Sequence, residues 1–388
     1  MRKLTNQQFN QEFPSGVEFM VRAFDLARRV ISASPNPRVG CVLVKEGKVV
    51  GEGWHEAAGL PHSEIMAMAQ AGEAVQGATA FVTLEPCSHQ GRTGPCADAL
   101  IKAGVGQVVI AAVDQSPEVS GDGVARLEEK GIEVILLSES RPEAEQLNPG
   151  WLSRQRRSRP YVRCKLAMSL DGRTALANGV SKWITSAEAR ADVQFQRARS
   201  DAIITGIQTV LADDPSLNVR PEELDPELRA QVEARLAHAG QPLRVIVDSK
   251  LQTPTDARLF SVDGEAIIYT TRAARSVNNL ADCGEIIHVA EKQGRVHLES
   301  MLESLTSSFG CNDILVEAGP TLSTAFLDAG LIDELIVYIA PRLLGSDARA
   351  LLALSGLQSL DEAVELEFVD VHRIGNDLRV IAKPVKKD

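Results

Sequence analysis

No stretch of the 388-residue chain approaches 18 consecutive apolar residues, so the sequence offers no membrane-spanning helix. The opening Met1-Arg2-Lys3-Leu4-Thr5-Asn6-Gln7-Gln8 has no apolar run and does not read as a secretory signal. Cysteine is scarce: six residues at irregular spacing give no disulfide framework and suit a reducing cytoplasm. Positive charge is in deficit. The net charge of −11 argues against nonspecific nucleic-acid binding and favours a small-molecule partner. No G-x-G-x-x-G follows an apolar strand, which removes the standard Rossmann dinucleotide site. There is no internal repeat and no low-complexity tract.

The length exceeds one ordinary core and predicts two domains. In the first, apolar residues at helical spacing predict a helix over 17–31. Pro35-Asn36-Pro37 forces a turn, and strands follow at 39–44 and 49–51 around a turn at Glu46-Gly47-Lys48. Further strands are predicted at 78–84, 105–113 and 132–137, with a helix at 124–130. A break comes at Asn148-Pro149-Gly150-Trp151, and the arginine-rich stretch to Pro160 reads as a solvated linker. The second half predicts strands at 161–168, 202–205, 243–247, 265–270, 285–289, 313–316 and 334–339. Helices are predicted between them at 186–199, 224–239, 297–309 and 321–329. Both halves are therefore α/β, divided as 1–157 and 158–388.

The residues that carry chemistry in the first half are His62-Ser63-Glu64, Pro86-Cys87 and Cys96. One imidazole and two thiols can hold zinc with a fourth position open, the usual arrangement of a catalytic site. The metal then brings the pKa of a water toward 7, and a carboxylate that is not a ligand can move protons. His62 and Cys96 both stand at predicted helix starts, where the helix dipole favours thiolate. Glycine and proline in the segment between Cys87 and Cys96 describe a loop able to fold back on the metal. His89 is an alternative fourth ligand, which would make the site closed and structural and leave Glu64 without a purpose. Cys41, Cys164, Cys283 and Cys311 read as small buried apolar residues.

Two strand-to-helix turns mark the second half. Thr205-Gly206-Ile207-Gln208-Thr209 and Glu317-Ala318-Gly319-Pro320-Thr321 each pass from an apolar strand into a helix start, whose free N–H groups suit a phosphate. Arg197 and Arg220 are candidates for bidentate contacts to a second phosphate. Glu317 reads as buried.

With these motifs in place, the sequence resembles the bifunctional deaminase/reductases of riboflavin biosynthesis. The zinc motifs H-x-E and P-C are similar to those of nucleobase deaminases, although eight residues separate Cys87 from Cys96. Behind them stand Met168-Ser-Leu-Asp-Gly-Arg-Thr-Ala175, Ser181-Lys-Trp183, Thr209-Val-Leu-Ala-Asp-Asp-Pro-Ser-Leu-Asn-Val-Arg220, Val316-Glu-Ala-Gly-Pro-Thr-Leu322 and Ala340-Pro-Arg-Leu-Leu-Gly345. The resemblance runs from about residue 17 to the end. It implies a cytidine-deaminase-like α/β/α domain and a dihydrofolate-reductase-like α/β domain. The first would deaminate 2,5-diamino-6-ribosylamino-4(3H)-pyrimidinone 5′-phosphate, and the second would reduce the ribosyl group to ribityl with NADPH.

The same resemblance makes His62, Cys87 and Cys96 the zinc ligands and Glu64 the proton carrier. It gives Asn36 a hydrogen bond to the pyrimidine. Ala167, Trp183, Thr209, Asp213, Ser249 and the turn Gly319, Pro320, Thr321, Leu322, Ser323, Thr324 and Ala325 match cofactor positions. Ser181, Arg197, Leu217, Arg220 and Glu317 match substrate positions. It also implies a homodimer through the second half. The chain departs from the family at Ser63, at Gly94 and at Gln115-Ser116-Pro117. Two other readings compete: a tRNA or free-base deaminase without NADPH binding, and a zinc-stabilised nucleotide-binding protein without turnover. The acidic charge disfavours the first and a free Glu64 the second.

Overall fold

The computed structural model describes residues 1–89, 94–116, 120–272 and 279–385. The chain divides into two units, Met1–Ser158 and Arg159–Asp388. Among the described residues, no helix is long and apolar enough to cross a membrane.

The first unit contains strands β1 (Arg2–Leu4), β2 (Gly40–Lys45), β3 (Lys48–Trp54), β4 (Thr79–Val82), β5 (Gln107–Ile110) and β6 (Glu133–Leu137). They form one sheet in the order β1-β6-β5-β4-β2-β3, with only the β2 pairings antiparallel. Helices α1 (Asn6–Glu12), α2 (Gly16–Arg28), α3 (Ser63–Ala71), α4 (Cys96–Ala103), α5 (Asp122–Glu129), α6 (Arg141–Leu147) and α7 (Pro149–Arg157) cover it. Two separate apolar clusters make it an α/β/α sandwich. Phe9, Met20, Phe24, Leu147 and Trp151 pack on one face of the sheet. Ala67, Ala97, Leu100, Val124 and Leu127 pack on the other. A sheet buried on both faces explains the continuous apolar runs of Val42–Val44 and Val108–Ile110 in the sequence.

Three elements differ from the sequence expectation. The stretch after Asn148 is not a linker but helix α7, with Pro149 at its first turn and Trp151 and Leu152 buried. Its arginines are engaged: Arg156 pairs with Glu145 at 2.6 Å. Just beyond it, Arg159 clamps both oxygens of Asp333 at 2.9 Å. The polar N-terminus supplies edge strand β1, paired parallel to β6. A C-terminal hairpin, introduced below, also carried no clear signal.

The second unit holds β7 (Tyr161–Ser169), β8 (Arg173–Ala175), β9 (Ala202–Gly206), β10 (Leu243–Val247), β11 (Ala266–Thr270), β12 (Glu285–His288), β13 (Glu291–Lys292), β14 (Arg295–Val296), β15 (Asp313–Val316), β16 (Glu334–Ala340), β17 (Arg349–Ala350), β18 (Leu366–Ile374) and β19 (Asp377–Pro384). Its main sheet runs β12-β11-β10-β9-β15-β7-β16-β19-β18. The strands from β12 to β16 pair in parallel, and the hairpin β18–β19 closes the far side antiparallel. Helices α8 (Ala187–Ala198), α9 (Ile207–Asp213), α10 (Pro226–Ala239), α11 (Leu298–Ser307) and α12 (Pro320–Asp328) complete it. Met301, Leu302 and Leu305 of α11 and Phe326 of α12 bury one face. Ala189 and Val193 of α8 pack with Leu315 and Tyr338 on the other. Sequence signals set the helix starts: Ser186 accepts from Ala189 N, and Asp225 accepts from Leu228 N just before Pro226.

In the first unit, α3 lies unusually close to β3. A Cβ on Gly51 would meet Ala67 O at 2.2 Å, and one on Gly53 would meet Ser63 O at 2.1 Å. Backbone on both sides leaves no flexible atom to yield. Gly53→Ala should therefore cost about 1–3 kcal/mol of stability, read as a lowered urea midpoint with unchanged slope.

Candidate active sites

Two helix starts and one strand exit build the first site. His62 caps α3 in extended conformation, and Cys96 is the first residue of α4, behind Pro95. Cys87 follows β4 through Glu85-Pro86. The three donor atoms lie within 4.8 Å of one another. His62 turns Nδ1 inward, 3.3 Å from Cys96 Sγ and 3.6 Å from Cys87 Sγ. Cys96 N donates to Cys87 Sγ at 3.3 Å. One imidazole and two thiols form the donor set of a three-ligand zinc site, so the residues fit that metal. His89 is exposed and outside the cluster.

The electrostatics suit a cation. The hydrogen bond with Cys96, joined by His62, brings the Cys87 thiol down to about 4 against the effect of burial. Cys96 is pushed up, first because Cys87 takes the stabilising hydrogen bond. Glu64 is buried and accepts from Ser63 Oγ at 2.8 Å. Burial pushes its carboxyl up, and Cys87 adds to the effect. A carboxyl raised by burial beside these three donors can hold and pass on a proton.

Two residues that sequence reasoning missed support this site. His55 is buried, and its Nε2 lies 3.0 Å from Asn36 Nδ2 while its Nδ1 lies 3.1 Å from Pro61 O. An Nδ1–H tautomer satisfies both contacts and orients the Asn36 amide. Glu85 accepts from the backbone N–H groups of Asp114, Gly121 and Val124, each at 3.1 Å. It thereby fastens the loop after β5 to the exit of β4. Its place directly before Pro86-Cys87 was the available signal. Ser116 N donates to Asp114 Oδ1 at 2.7 Å, whereas Pro117 lies outside the described residues.

The second site is a cleft of about 2310 Å³ in the second unit. It gathers every candidate of that half except Ser323 and Thr324. Those two face the protein side of α12: Ser323 Oγ donates to Ala318 O at 3.3 Å, and Thr324 Oγ1 accepts from Ala353 N at 2.8 Å. A helix turns 100° per residue, so a contiguous run cannot all face one ligand. Gly319 caps α12 without a side-chain cap, and its N donates to Thr209 Oγ1 at 3.2 Å. The first turn of α12 is thus left with N–H groups suited to a phosphate, which fits a dinucleotide cofactor. Trp183 is exposed at the cleft with the Arg190 guanidinium 4.6 Å from its ring centroid. Leu217 is held at φ 52°, an uncommon value for a branched side chain.

Arg197 lines the cleft and is engaged within the protein. Its Nε and Nη2 donate to the two oxygens of Glu317 at 2.6 and 2.9 Å, and Nη1 donates to Asn218 O at 2.9 Å. The guanidinium therefore fixes the position of Glu317. Arg220 pairs with Glu223 at 2.5 Å in a more exposed position. Lys165 was missed. It lines the cleft, and burial pushes its ammonium down while Glu317 opposes the shift. The alternation in β7 was the signal: Val162, Cys164 and Leu166 join the core, so Arg163, Lys165 and Ala167 take the other face.

The cytidine and deoxycytidylate deaminase zinc-binding region matches residues 15–112, and the RibD C-terminal domain matches residues 160–380. A riboflavin biosynthesis protein RibD of Escherichia coli (strain K12) is 47% identical over 93% of this chain and 97% of the relative. The solved structure of Acinetobacter baumannii RibD, form 1, is 43% identical, with a TM-score of 0.86 over 95% of this chain and 98% of its own. A diaminohydroxyphosphoribosylaminopyrimidine deaminase/5-amino-6-(5-phosphoribosylamino)uracil reductase from Thermotoga maritima is 32% identical, with a TM-score of 0.81 over 95% and 98%.

Glu317→Ala should leave Arg197 buried without a carboxylate and cost about 3–5 kcal/mol. Burial raises the Glu317 pKa, but Arg197 outweighs it and the net value is lowered. The pair's contribution is therefore complete above the unfolded carboxyl value near 4.3 and is lost as pH falls through the lower folded value. Urea midpoints measured from pH 7 downward should show this acid loss in the parent and a flatter profile in the variant.

Proposed function

The chain belongs to the RibD family of riboflavin biosynthesis proteins, and from that membership we propose which of its residues carry each of two reactions. It is a bifunctional zinc-dependent deaminase and NADPH-dependent reductase. The first reaction removes the 2-amino group of 2,5-diamino-6-ribosylamino-4(3H)-pyrimidinone 5′-phosphate by hydrolysis. The second reduces the ribosyl side chain to ribityl, giving 5-amino-6-ribitylamino-2,4(1H,3H)-pyrimidinedione 5′-phosphate.

We assign deamination to residues 1–157 and reduction to residues 158–388. His62, Cys87 and Cys96 hold zinc, which supplies Lewis acidity at neutral pH. Glu64 takes one proton of the attacking water and passes it to the ring nitrogen, then takes the proton of the new hydroxyl and delivers it to the amine, which departs as ammonia. Asn36, oriented by His55, bonds the pyrimidine. The convergence of three donor atoms within 4.8 Å beside a buried Glu64 is the observation that carries this half.

In the second half NADPH supplies the hydride. We place it along Ala167, Trp183, Thr209, Asp213, Ser249 and the start of α12, with Gly319, Pro320, Thr321, Leu322 and Ala325 facing it. Ser181, Leu217, Arg220 and Glu317 receive the substrate, and Arg197 acts by fixing Glu317. Lys165 is placed to give the proton that ribosyl ring opening requires. Arg220 is the candidate for the substrate phosphate, whose binding energy can serve the reacting carbon.

We further propose a homodimer through the second unit. Strand β18 is a sheet edge, and Phe368, Val369 and Val371 stand exposed on it. Such an edge is usually covered or paired. The six free cysteines and the family support a cytoplasmic location.

A stepwise assay that follows ammonia and NADPH separately tests the catalytic assignment. Glu64→Gln should cut ammonia release by about 10²–10⁴-fold while NADPH oxidation with pre-deaminated substrate continues. Joint loss would defeat the two-site assignment, as would failure of the purified protein to retain roughly one zinc per chain. Light scattering should give twice the chain mass, and Phe368→Lys should shift it toward the monomer. A monomeric parent protein would reject the dimer.

A further inference from the structure

Helix α8 serves the second site at both ends. Arg190, near its start, lies over Trp183, and Arg197, in its last turn, holds Glu317. The segment just before the helix carries Ser181 and Trp183, which line the cleft together with both arginines. That segment is thinly packed. Lys182 and Trp183 are exposed, and Ser181, Ile184, Thr185 and Ser186 are half-buried. Three of its holds come from long cationic side chains. Lys182 Nζ donates to Asp213 O at 3.3 Å, Arg342 Nη1 to Trp183 O at 3.2 Å, and Arg190 Nη1 to Thr185 O at 2.9 Å. Side chains with that much rotamer freedom follow a moving backbone more readily than they fix it.

The fourth hold comes from the sheet. Asp377, the first residue of β19, is 2% exposed, and its Oδ2 accepts from Ser186 N at 2.7 Å. The described residues place no cation on this buried carboxylate. It faces the start of α8, whose partial positive charge suits it. Ser186 turns its own hydroxyl to Ala189 N, so the cap residue is gripped from both sides. The turn between β18 and β19 opens at Gly375, with φ 57°, and a Cβ there would meet the Glu188 carboxyl carbon at 2.9 Å. The hairpin tip therefore rests on the first turn of α8. Two residues along β19, Arg379 Nη1 donates to Asp192 Oδ1 at 2.9 Å, and the other oxygen of Asp192 accepts from Tyr338 OH. Arg379 Nη2 is held in turn by Asp370 of β18 at 3.1 Å.

Asp377 and Arg379 stand two residues apart on one strand, so both side chains take the sheet face that carries α8. Tyr338 and Ala167 share that face: they are register partners in β16 and β7, and they pack in one cluster with Ala189 and Val193 of α8. The sheet thus carries Lys165 and Ala167 directly, whereas Ser181 and Trp183 reach the same cleft through the segment that Asp377 pins. Alignment of the two sets depends on the joint between hairpin and helix. Neither Asp377 nor Arg379 lines the cleft, so each acts through α8. We propose that Asp377 and Arg379 are positioning residues for the reduction: they lock α8 and the segment before it to the sheet, and so align cofactor and substrate for hydride transfer. This rests on the cleft being the reductase site.

Steady-state NADPH oxidation by the full-length protein with pre-deaminated substrate tests it, run with ordinary NADPH and with NADPH deuterated at C4. Misalignment slows the hydride step itself, so Asp377→Ala should lower kcat about 10–10²-fold and raise the deuterium isotope effect on kcat, with KM for NADPH little changed. Ammonia release should stay at the parent rate. Asp377→Asn keeps an oxygen that can accept from Ser186 N and should restore most of kcat. Arg379→Ala, at a half-buried position, should show the same signature more weakly, and Arg379→Lys should recover part of it. A role in stability alone would lower the urea midpoint of both alanine variants and leave kcat per folded protein and the isotope effect at parent values. That result, or an Asp377→Asn variant as slow as Asp377→Ala, would overturn the positioning role. If Asp377→Ala does not fold, Arg379→Ala decides by the same two readings. If the parent protein does not oxidise NADPH with this substrate, the reductase reading falls and the positioning role with it.

Discussion

A parallel strand must hand its chain back across one face of the sheet, and the helix that begins there exposes backbone N–H groups it cannot satisfy itself. Much of the chemistry in this protein hangs on that constraint. In the first unit the exit of β4 leads to Cys87 and then to Cys96 at the head of α4, while His62 stands at the head of α3. In the second unit the exits of β9 and β15 lead to α9 and α12, joined where Gly319 N meets Thr209 Oγ1. The start of α4 donates an N–H to the Cys87 sulfur, and the start of α12 keeps N–H groups suited to a phosphate. One architectural necessity thus yields two kinds of site, separated by which side chains occupy the first helical positions.

Close approach and buried charge then fix the geometry. Gly51 and Gly53 let α3 lie against β3, which sets where His62 and Glu64 stand. Glu85 carries three backbone hydrogen bonds beside the ligand loop and so makes Cys87 part of a braced segment. In the other unit, Arg197 and Glu317 pair across 120 residues of sequence. A buried pair of this kind gains little net stability over apolar packing. Its return is positional: a carboxylate held at one place in the cleft, facing an amine whose proton is loosened by burial.

The zinc residues were legible because chemistry restricts them. Few residue types bind zinc, and His62, Glu64, Cys87 and Cys96 fall within 35 residues of each other. The strands of both sheets were legible because burial on both faces forces apolar runs. What resisted reading was decided by distant partners. Arg197 has a phosphate binder's chemistry, and its pairing with Glu317 becomes visible only in the fold. The arginines after Asn148 read as solvated because polar residues outnumber apolar ones there, yet Trp151 and Leu152 suffice to dock α7. Ser323 and Thr324 belong to a turn read as one run, and helical rotation turns their side chains to Ala318 and Ala353. Lys165 was hidden because a single amine in an apolar strand is visible only once the alternation is followed to the cleft face.

The commitment of Arg197 also bears on turnover. The phosphate is present in the substrate, the intermediate and the final product alike. A buried bidentate guanidinium would grip all three equally, lowering KM without accelerating chemistry and slowing release. Placing the phosphate with the more exposed Arg220 gives orientation through a contact that solvent screens. The buried guanidinium holds Glu317, which in the proposed assignment keeps its place as the ribosyl carbon changes geometry. On the proposed assignment, strong, desolvated electrostatics sit at the group that changes during reaction, and weaker, hydrated contacts at the group that does not.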